Sequence, residues 1–321
     1  MNNDSRIYIA GHRGLVGGAV MRRLRALGYR NLITRTHAEL DLADQGAVES
    51  FFSAERPEYV FLCAARVGGI NANRSMPVDF IYDNMMISFN VIMAAYRHGA
   101  AKLLNLGSSC IYPRMAPQPL KEEYLLTGPL EPTNEPYALA KISAIKLCSA
   151  LNRQHGTNFI SAMPTNLYGP GDKYDLDTSH VLPAMIRKFH EAKASGSDKV
   201  VLWGDGTPCR EFLFSDDLAE AVVFLMENTN AVEIGDFVNV GTGQDIEIRE
   251  LAEIVGEITY RDIPGRHCSI AWDSAMPNGT PKKMLDIARM TSLGWMAHTD
   301  LRVGIEMAYK DYLDCIGIYS K

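Results

Sequence analysis

The sequence predicts an α/β fold, in which a doubly wound parallel sheet is joined to a smaller, interleaved C-terminal lobe. Short apolar runs alternate with amphipathic stretches through the first half of the 321 residues, as strands and helices do around such a sheet. A glycine-rich turn at residues 11–17 follows the first apolar run. The alternation stops after residues 169–170, a Gly-Pro pair. We therefore expect a sheet domain over residues 1–168, with returning segments at about 210–245, and a second lobe over 169–321.

Composition and charge limit the classes of partner. Hydrophobic residues make up 47% of the chain and charged residues 22%, which is typical of a globular protein large enough for two lobes. The formal net charge is -6, so no overall basic field attracts nucleic acid or an anionic membrane. We expect no nucleic-acid partner, whereas a local basic pocket for a phosphorylated ligand is compatible with this charge.

The cysteines and the N-terminus favour a cytoplasmic protein. Six cysteines are scattered without a C-x-x-C pair, so reduced thiols are expected and zinc has no ligand cluster. Residues 1–5 are polar, and no run reaches the roughly 18 apolar residues of a membrane span. We expect no metal and no membrane partner.

The first strand, turn and helix favour a dinucleotide site. An apolar run at residues 6–10 precedes Gly11, Gly14 and Gly17, and an amphipathic helix is expected over 19–27. The spacing is G-x-x-G-x-x-G, and such glycines let the backbone approach a pyrophosphate at the helix N-terminus. Glycines in a loop are also ordinary turn residues, but the strand before and the helix after favour cofactor binding.

Further elements continue the alternation and then become sparser. A βαβαβ unit and the elements after it define a Rossmann-type sheet. The expected strands are 31–35, 59–65, 102–106, 199–203 and 237–241, the last returning to the main sheet. The expected helices are 43–56, 78–98, one beginning at about 137, 181–194, 216–227, 246–257 and 301–313.

The end of the second strand indicates which nicotinamide cofactor binds. This place reads Arg35-Thr36-His37, without the carboxylate that accepts hydrogen bonds from the adenosine ribose of NAD(H). Arg13 lies inside the glycine turn, so two guanidinium groups are available for a 2'-phosphate. NADP(H) is favoured over NAD(H). The alternative is that Arg13 and Arg35 are solvated surface charges.

Tyr137 and Lys141 form the clearest catalytic pair in the sequence. Pro136 precedes them at an expected helix start, and residues four apart share a helix face. An ammonium beside a phenol lowers the phenol pKa from about 10 and makes it a usable proton donor or acceptor. The alternative is an ordinary surface tyrosine beside a surface lysine.

Several strings together carry a family resemblance. With Ser108, the glycine turn and the Tyr137/Lys141 pair resemble the extended short-chain dehydrogenase/reductases. More narrowly, the chain resembles the GDP-L-fucose synthase family nearly end to end. The strings that carry this resemblance are AGHRG at 10–14, VGGI at 67–70, LGSSCIYP at 106–113, LEPTNEPYA at 130–138, MPTNLYGP at 163–170, SHV at 179–181 and WGDGT at 203–207.

The resemblance implies a two-stage reaction in one pocket. GDP-4-keto-6-deoxy-D-mannose is epimerised at C3 and C5, and NADPH then reduces C4. It implies that Tyr137 protonates the C4 oxygen, that Lys141 lowers the Tyr137 pKa and holds the nicotinamide ribose, and that Ser108 hydrogen-bonds the same oxygen. Cys110 and His180 are implied as base and acid of epimerisation. Without the resemblance, Cys110 reads as an inert buried thiol and His180 as a helix-capping or core residue.

The resemblance also implies the binding residues. A GDP-sugar substrate would contact Lys188, Trp203, Arg210 and Asn278, with segments 209–214 and 277–283 building the nucleotide-sugar-binding lobe. His37, Lys188 and Asn278 depart from the arginine, arginine and aspartate common in the family. The implied NADP(H)-binding residues are Gly11, His12, Arg13, Gly14, Leu15, Val16, Gly17, Arg35, His37, Asp41, Leu42, Leu106, Gly107, Ser109, Lys141, Pro164, Thr165, Asn166, Leu167 and His180.

The long helices predict how the chain assembles. The helix that carries Tyr137 and the helix over 78–98 have apolar residues beyond one face, and in the resembled family two such helices pair with their copies as a four-helix bundle, so a homodimer is expected. Those residues include Phe80, Met85, Met86, Phe89 and Ile92.

Two other functions are compatible with these residues. A GDP-colitose synthase would use the same catalytic residues, and product analysis separates it from a GDP-L-fucose synthase. From another class, an NADP-sensing binding protein has no need for Ser108, Tyr137 and Lys141 together.

Overall fold

A computed structural model describes residues 1–176, 178–263, 265, 268–276 and 278–317. The strands among the described residues are short, with two to six residues each. They are β1 Ile7–Ala10, β2 Leu32–Ile33, β3 Tyr59–Leu62, β4 Lys102–Leu106, β5 Phe159–Pro164, β6 Asn166–Tyr168, β7 Lys199–Trp203, β8 Cys209–Phe214, β9 Val238–Val240, β10 Asp245–Glu247, β11 Ser269–Asp273 and β12 Lys282–Lys283.

Helices separate most of the strands of the first half. Within the described residues they are α1 Leu15–Ala26, α2 Gln45–Glu55, α3 Ile70–Ser75, α4 Pro77–Arg97, α5 Glu135–His155, α6 Val181–Ser195, α7 Ser215–Asn228, α8 Ala231–Ile234, α9 Ile248–Tyr260, α10 Ala288–Ser292 and α11 Leu301–Cys315. None of these helices has the length and apolar character needed to cross a membrane.

A six-stranded sheet forms the centre of the first region. Its order is β2-β1-β3-β4-β5-β9, and every pairing in it is parallel. Strands buried on both faces read as nearly continuous apolar runs, and β1 and β4 are fully buried. The sheet confirms the predicted α/β class, and β9 confirms the strand expected to return from residues 237–241. The sequence analysis did not identify β5 as a strand.

Helices cover both faces of this sheet. On one face α4 packs along α5, and on the other α1 packs against α7. The N-terminus of α1 lies at the glycine turn, so this helix begins at Leu15, four residues before its expected start. The start of α5 at Glu135 places both Tyr137 and Lys141 in its first two turns. The alternation therefore brings the predicted cofactor turn and the catalytic pair to the carboxyl ends of the strands.

A second region is built around β8. This strand pairs with β10, β12 and β6, while β7 pairs with β11 in a separate two-stranded sheet. Apolar side chains from α6, α9 and α11 pack over these strands and include Phe189, Leu251 and Ile305, each fully buried. Within the predicted segment 277–283, Pro277 lies outside the described residues.

Candidate active site

Ser108, Tyr137 and Lys141 lie in one pocket at the end of β4 and the start of α5. Ser108 immediately precedes the short helical turn 109–111, and its side chain lies close enough to Tyr137 to favour ionisation of the phenol. The Lys141 ammonium lies 5.8 Å from the centre of the Tyr137 ring. The i,i+4 spacing therefore places the phenol and the ammonium together, as the sequence predicted.

Lys141 is buried and fixed in position. Only 4% of the residue is exposed, and Nζ donates a 2.8 Å hydrogen bond to the Leu106 carbonyl oxygen at the end of β4. Burial lowers the pKa of Lys141 to about 8, while Cys110 and Cys63 favour its charged form. The Lys141 ammonium thus extends into the site from α5 and is held there by the end of β4, the strand that precedes Ser108.

The predicted direction of the Tyr137 pKa is wrong. Burial raises the pKa of Tyr137 well above its ordinary value, and the negative charge of Cys110 when ionised raises it further, whereas hydrogen bonding with Ser108 opposes the rise. Desolvation outweighs the effect expected from the nearby ammonium, because a phenolate loses its hydration when water is excluded. Tyr137 is therefore a protonated phenol at neutral pH, which suits a proton donor.

Cys110 lies beside the same hydroxyl. Its backbone N–H donates to Ser108 Oγ at 3.5 Å, and 8% of the residue is exposed. Burial raises the pKa of the Cys110 thiol, and the influences that oppose the rise include the charge of Lys283, the side-chain hydrogen bond with Ser108 and the charge of Lys141. A group able to exchange protons therefore shares the pocket of the reducing residues.

His180 approaches from the second region. It occupies the N-cap position of α6. Desolvation by the surrounding protein and the charge of Lys283 lower the pKa of His180 below its ordinary value. Cys110 and His180 therefore have a common charged neighbour, which links the two implied proton-exchange groups.

Lys283 is a site residue that the sequence analysis missed. It lies on β12, opposite Arg210 of β8, and burial lowers its pKa to about 8. The sequence placed it inside segment 277–283 but gave it no role of its own. A basic Lys282-Lys283 pair after a glycine- and proline-containing turn was the available signal.

The glycine turn fits a dinucleotide. Gly11 has φ +84°, and a Cβ there would lie 2.8 Å from the backbone of Ala64. A Cβ on Gly17 would overlap the Gly11 carbonyl oxygen, and the Gly14 N–H donates to that oxygen at 3.0 Å. The turn therefore requires glycine at two positions and leaves the N-terminus of α1 accessible to a pyrophosphate.

The region for a 2'-phosphate differs from the expectation. Arg13 is exposed, but Arg35 is ion-paired with Glu55 and lies 5.4 Å from the centre of the Phe51 ring. Residues 35–37 carry no carboxylate, as stated from the sequence, but Glu39 lies close by. Glu39 accepts hydrogen bonds from Thr36 and interacts electrostatically with Arg13 and Arg35, an arrangement that the spacing of the residues did not reveal.

The other implied cofactor residues lie around this turn and at the strand ends. His37 is 86% exposed in its side chain and lies 3.8 Å from Asp41, while Leu42 is buried. Leu106, Gly107 and Ser109 end β4 or begin the turn after it. Pro164 ends β5, and the segment after it is tied to β8. Thr165 Oγ1 and Asn166 Nδ2 donate to the Glu211 carbonyl oxygen at 3.2 and 2.7 Å.

The predicted substrate residues form two pairs. Lys188 Nζ lies 5.7 Å from the centre of the Trp203 ring and donates to the Val201 carbonyl oxygen at 3.0 Å. Arg210 Nη2 lies 3.4 Å from the carbonyl oxygen of Asn278. A cation over an indole face and a guanidinium beside a loop are arrangements that suit a nucleobase and a diphosphate.

Asn278 has a structural task as well. Its Oδ1 accepts a 3.0 Å hydrogen bond from the Asp205 N–H, and a Cβ on Gly204 would overlap the same oxygen. This residue therefore fixes the turn after Trp203.

Among the described residues, no group of three or more His, Cys, Asp or Glu side chains is placed to hold a metal ion.

Comparison with known proteins identifies the family. The model of the NAD dependent epimerase/dehydratase family matches residues 7–241. The chain belongs to this family. GDP-L-fucose synthase 1 of Arabidopsis thaliana is 54% identical over 312 residues, covering 97% of this chain and 94% of that protein. The predicted resemblance to GDP-L-fucose synthases is thereby confirmed.

Two further relatives bear on substrate and cofactor. GDP-L-colitose synthase of Yersinia pseudotuberculosis is 36% identical over 310 residues, covering 96% of this chain and 98% of that protein. A solved GDP-L-fucose synthetase of Naegleria fowleri, bound to NADP, is 25% identical with a TM-score of 0.87, covering 100% of this chain and 98% of that one. This family member and the present chain share the fold throughout.

Proposed function

We propose that the chain converts GDP-4-keto-6-deoxy-D-mannose to GDP-L-fucose, by epimerisation at C3 and C5 followed by NADPH-dependent reduction at C4. One observation carries this: the Ser108 hydroxyl accepts the backbone N–H of Cys110 and lies close enough to Tyr137 to influence its pKa. A simple ketone reductase needs the serine and the tyrosine but not a thiol beside them. The high identity to a GDP-L-fucose synthase supports the same product.

NADP(H) is the cofactor that this proposal requires. Residues 11–17 would hold its pyrophosphate, and Arg13 would face its 2'-phosphate, since Arg13 is exposed and adjoins the turn. Lys141 and residues 164–167 would contact the nicotinamide half. When bound, NADPH supplies the hydride that C4 receives. The Naegleria fowleri relative with NADP supports this choice.

The chain's own residues would complete the reduction. Tyr137 is protonated at neutral pH and would give its phenolic proton to the C4 oxygen, while Ser108 would donate a hydrogen bond to that oxygen. Lys141, fixed by the Leu106 carbonyl, would stabilise the phenolate left behind. Lys141 is buried and Ser108 and Tyr137 are half-buried, which limits contact with water and strengthens their electrostatic effect on the developing oxyanion.

Epimerisation would use the same oxyanion donors. The protons at C3 and C5 flank the C4 carbonyl, so their removal leaves an enolate whose oxygen Ser108 and Tyr137 stabilise. Cys110 would accept each carbon proton as a thiolate, and His180 would return a proton to the opposite face. The raised Cys110 pKa and the lowered His180 pKa suit transient rather than permanent ionisation of both groups.

Substrate would be held mainly by the second lobe. We assign the diphosphate to Arg210 and Lys188, and an apolar contact to Trp203, which is 43% exposed. Asn278 would position Arg210 through its carbonyl oxygen.

The proposed boundary between the two lobes, at residues 168 and 169, is supported by one apolar core built from residues between 168 and 313. Met290 and Trp295 join the first core, so the returning part extends beyond 245.

A homodimer is the second part of the proposal. In α4, Phe80 and Ile92 are core residues, which corrects the expectation that they face a partner. Val78, Tyr82 and Phe89 are exposed by 70%, 59% and 37%, and their spacing places them along one stripe. This stripe on α4, beside α5, is a suitable surface for a four-helix bundle with a second copy.

Light scattering tests the dimer with a matched pair of variants. The wild type should give twice the 35.6 kDa of one chain. Phe89→Glu should give the monomer mass, because a buried carboxylate opposes association. Val232→Glu alters a residue that is 90% exposed elsewhere and should remain dimeric. A wild-type mass of one chain at micromolar concentration would contradict the proposal.

Deuterium exchange tests the reaction itself. Enzyme and ketosugar in D₂O, without hydride donor, should incorporate deuterium at C3 and C5. Cys110→Ser should slow the exchange strongly, since a hydroxyl is a far weaker base near neutral pH than a thiol that ionises. Cys148→Ser changes a buried cysteine of the core and should exchange at the wild-type rate.

Product analysis then separates the two family products. If Cys110→Ser exchanges at the wild-type rate at both carbons, another base removes the protons and the assignment of Cys110 is wrong. A 3-deoxy sugar offers an inversion at C5 alone. Turnover of GDP-4-keto-6-deoxy-D-mannose to GDP-L-fucose distinguishes the proposed function from colitose synthesis and from a non-catalytic NADP-binding protein.

A further inference from the structure

We infer that Lys283 is a positioning residue for epimerisation, because its ammonium stabilises the thiolate that Cys110 must form to take a carbon proton. The inference rests on the proposed function and adds a residue to it. It also divides the pocket, since Lys141 would serve reduction and Lys283 would serve epimerisation.

The strand that carries Lys283 is fixed on both sides. Lys283 pairs in register with Arg210 of β8. The next two residues are also held, because Met284 N–H donates to Gln118 Oε1 at 3.0 Å and Leu285 N–H donates to Glu211 Oε2 at 2.8 Å. The backbone of Lys283 therefore has a defined place, and its side chain is partly buried.

Its neighbour Lys282 provides the contrast. Successive side chains of a strand point to opposite sides. Lys282 is exposed and forms an ion pair with Asp245 at 3.0 Å. Leu285, two residues after Lys283, packs in the apolar cluster that contains Ile111, the neighbour of Cys110. The charge of Lys283 acts on both Cys110 and His180. Two adjacent lysines therefore occupy different environments, and the charge of one of them acts on the reacting groups.

The charges around Cys110 come from two regions. Tyr137, Ser108 and Lys141 face it from the first region, and Lys283 faces it from the second. Among the influences that favour the thiolate, the Lys283 charge is the largest, ahead of the Ser108 hydrogen bond and the Lys141 charge. An opposite charge close to a buried thiol favours its ionised form.

The charges around Lys283 leave its ammonium available to Cys110. Arg210 opposes the charged form of Lys283, while Glu211 and Cys110 favour it. Glu211 accepts backbone N–H bonds from Thr242 and Gly243 at 2.6 and 2.8 Å, in addition to that of Leu285. Its carboxylate is thus largely occupied by backbone donors.

Proton accounting gives Lys283 an electrostatic role only. In one inversion the Cys110 thiolate takes the carbon proton and becomes a thiol, and the His180 imidazolium gives a proton to the opposite face. The thiol then releases its proton to water and the imidazole takes one up, so the site is reset. Lys283 keeps its proton throughout, and its charge lowers the free energy of the thiolate at the start of each inversion.

The test uses Lys283→Met with Lys282→Met as the matched control and Lys283→Arg as the conservative variant. Iodoacetamide reacts with thiolates, and peptide mass spectrometry resolves Cys110 from the other cysteines. The pH midpoint of Cys110 alkylation should move up by about one unit or more in Lys283→Met. It should be unchanged in Lys282→Met and largely restored in Lys283→Arg.

The same variants should separate the two half-reactions. In Lys283→Met, deuterium exchange at C3 and C5 near pH 7 should fall about tenfold, following the loss of thiolate. Lys283→Arg should retain most of the exchange. An unshifted alkylation midpoint in folded Lys283→Met, or a shift of equal size in Lys282→Met, would overturn the inference.

Failure of the inference and failure of the proposed function give different results. Alkylation needs no sugar and reports on Lys283 directly. If Cys110→Ser abolishes exchange while Lys283→Met leaves the alkylation midpoint unchanged, the function stands and the inference falls. If Lys283→Met shifts the midpoint but Cys110→Ser exchanges normally, the function as proposed fails, and with it the role of Lys283 in epimerisation.

Discussion

The reducing group and the substrate lobe are built in different ways. Ser108, Cys110, Tyr137 and Lys141 come from one turn and the first two turns of α5, and they contact one another or the end of β4. In the substrate lobe, Lys188 and Arg210 come from separate elements and donate to carbonyl oxygens in exposed hydrogen bonds, whereas the hydrogen bond of Lys141 is buried. The first arrangement is ordered before substrate arrives, whereas in the second a ligand must replace existing hydrogen bonds.

This difference predicts separate kinetic consequences. Groups that stabilise charge only in the transition state affect kcat, while groups that hold substrate and transition state equally affect KM.

Glu211 connects the two regions. It is fully buried, and its carboxylate accepts N–H bonds from the segment after β9 and from Leu285 after β12. Substitutions in the reducing group and in the substrate lobe can therefore be compared within one molecule by their effects on kcat and KM.

The largest effect should come from Tyr137→Phe. Removing the phenolic proton donor should lower the rate of hydride transfer at least about 10²-fold, because the C4 oxyanion loses its general acid. NADPH binding, followed by fluorescence titration, should change little. Tyr96→Phe alters a tyrosine that stacks on His155 and is a suitable control. Near wild-type turnover of Tyr137→Phe would show that the reducing group has another acid.

Arg210→Ala should affect the opposite side of the comparison. A charge-assisted hydrogen bond to a phosphate is worth about 1.5–3 kcal/mol, so KM for the GDP-sugar should rise about tenfold or more with kcat largely kept. Steady-state kinetics with varied sugar measures both constants. A fall in kcat with unchanged KM would mean that the lobe contributes to the chemical step, and the contrast between the regions would then fail.

Arg13→Ala and Arg35→Ala should sharpen the comparison within the first region. Each should reduce the preference for NADPH over NADH, and Arg13→Ala should do so more, since Arg35 is already paired with Glu55. The ratio of kcat/KM for the two cofactors gives the result. Equal use of NADH and NADPH by the wild type would contradict the assignment and identify the exposed His37 as the reason.

The smallest effect concerns stability and pH. Burial lowers the pKa of Lys102 and of Lys141 from 10.5 to about 8, so between these values the folded state binds fewer protons than the unfolded state. Unfolding then takes up protons, and the free energy of unfolding rises with pH, whereas below about pH 8 this contribution is constant. We expect a gain on the order of 1 kcal/mol between about pH 8 and 9.5.

Urea denaturation across that range measures the slope. Lys102→Met should reduce the slope, because the buried ammonium that donates to the carbonyl oxygens of Leu225 and Met226 is gone. Lys146→Met removes a half-exposed lysine paired with Asp236 and should leave the slope unchanged. A slope that is flat in the wild type would contradict the lowered pKa values.

Much of the fold was predictable because its signals are local. Alternation of apolar runs and amphipathic stretches predicted the parallel sheet, and the turn at 11–17 located α1, although this helix begins at Leu15 and not at residue 19. Strand β5 escaped because Phe159–Pro164 follows α5 after only a few residues and contains serine and proline, which weaken a strand pattern. Local patterns place elements well but locate their ends less precisely.

The sequence by itself determined the pairing of Tyr137 with Lys141, since a helix fixes residues four apart on one face. It likewise determined the need for glycine at Gly11, where the φ angle is positive. The family strings around Ser108 and Cys110 gave the candidate reaction. Each of these features depends on a few neighbouring residues and on rules of backbone geometry.

The tertiary structure alone decided which distant groups meet and how strongly water is excluded from them. It brought the charge of Lys283 of β12 to bear on Cys110, let Glu39 interact electrostatically with Arg13, and paired Arg35 with Glu55. It also reversed the expected shift of the Tyr137 pKa. Contacts between remote segments and the desolvation of a charge depend on the packing of the whole chain, which no local pattern in the sequence records.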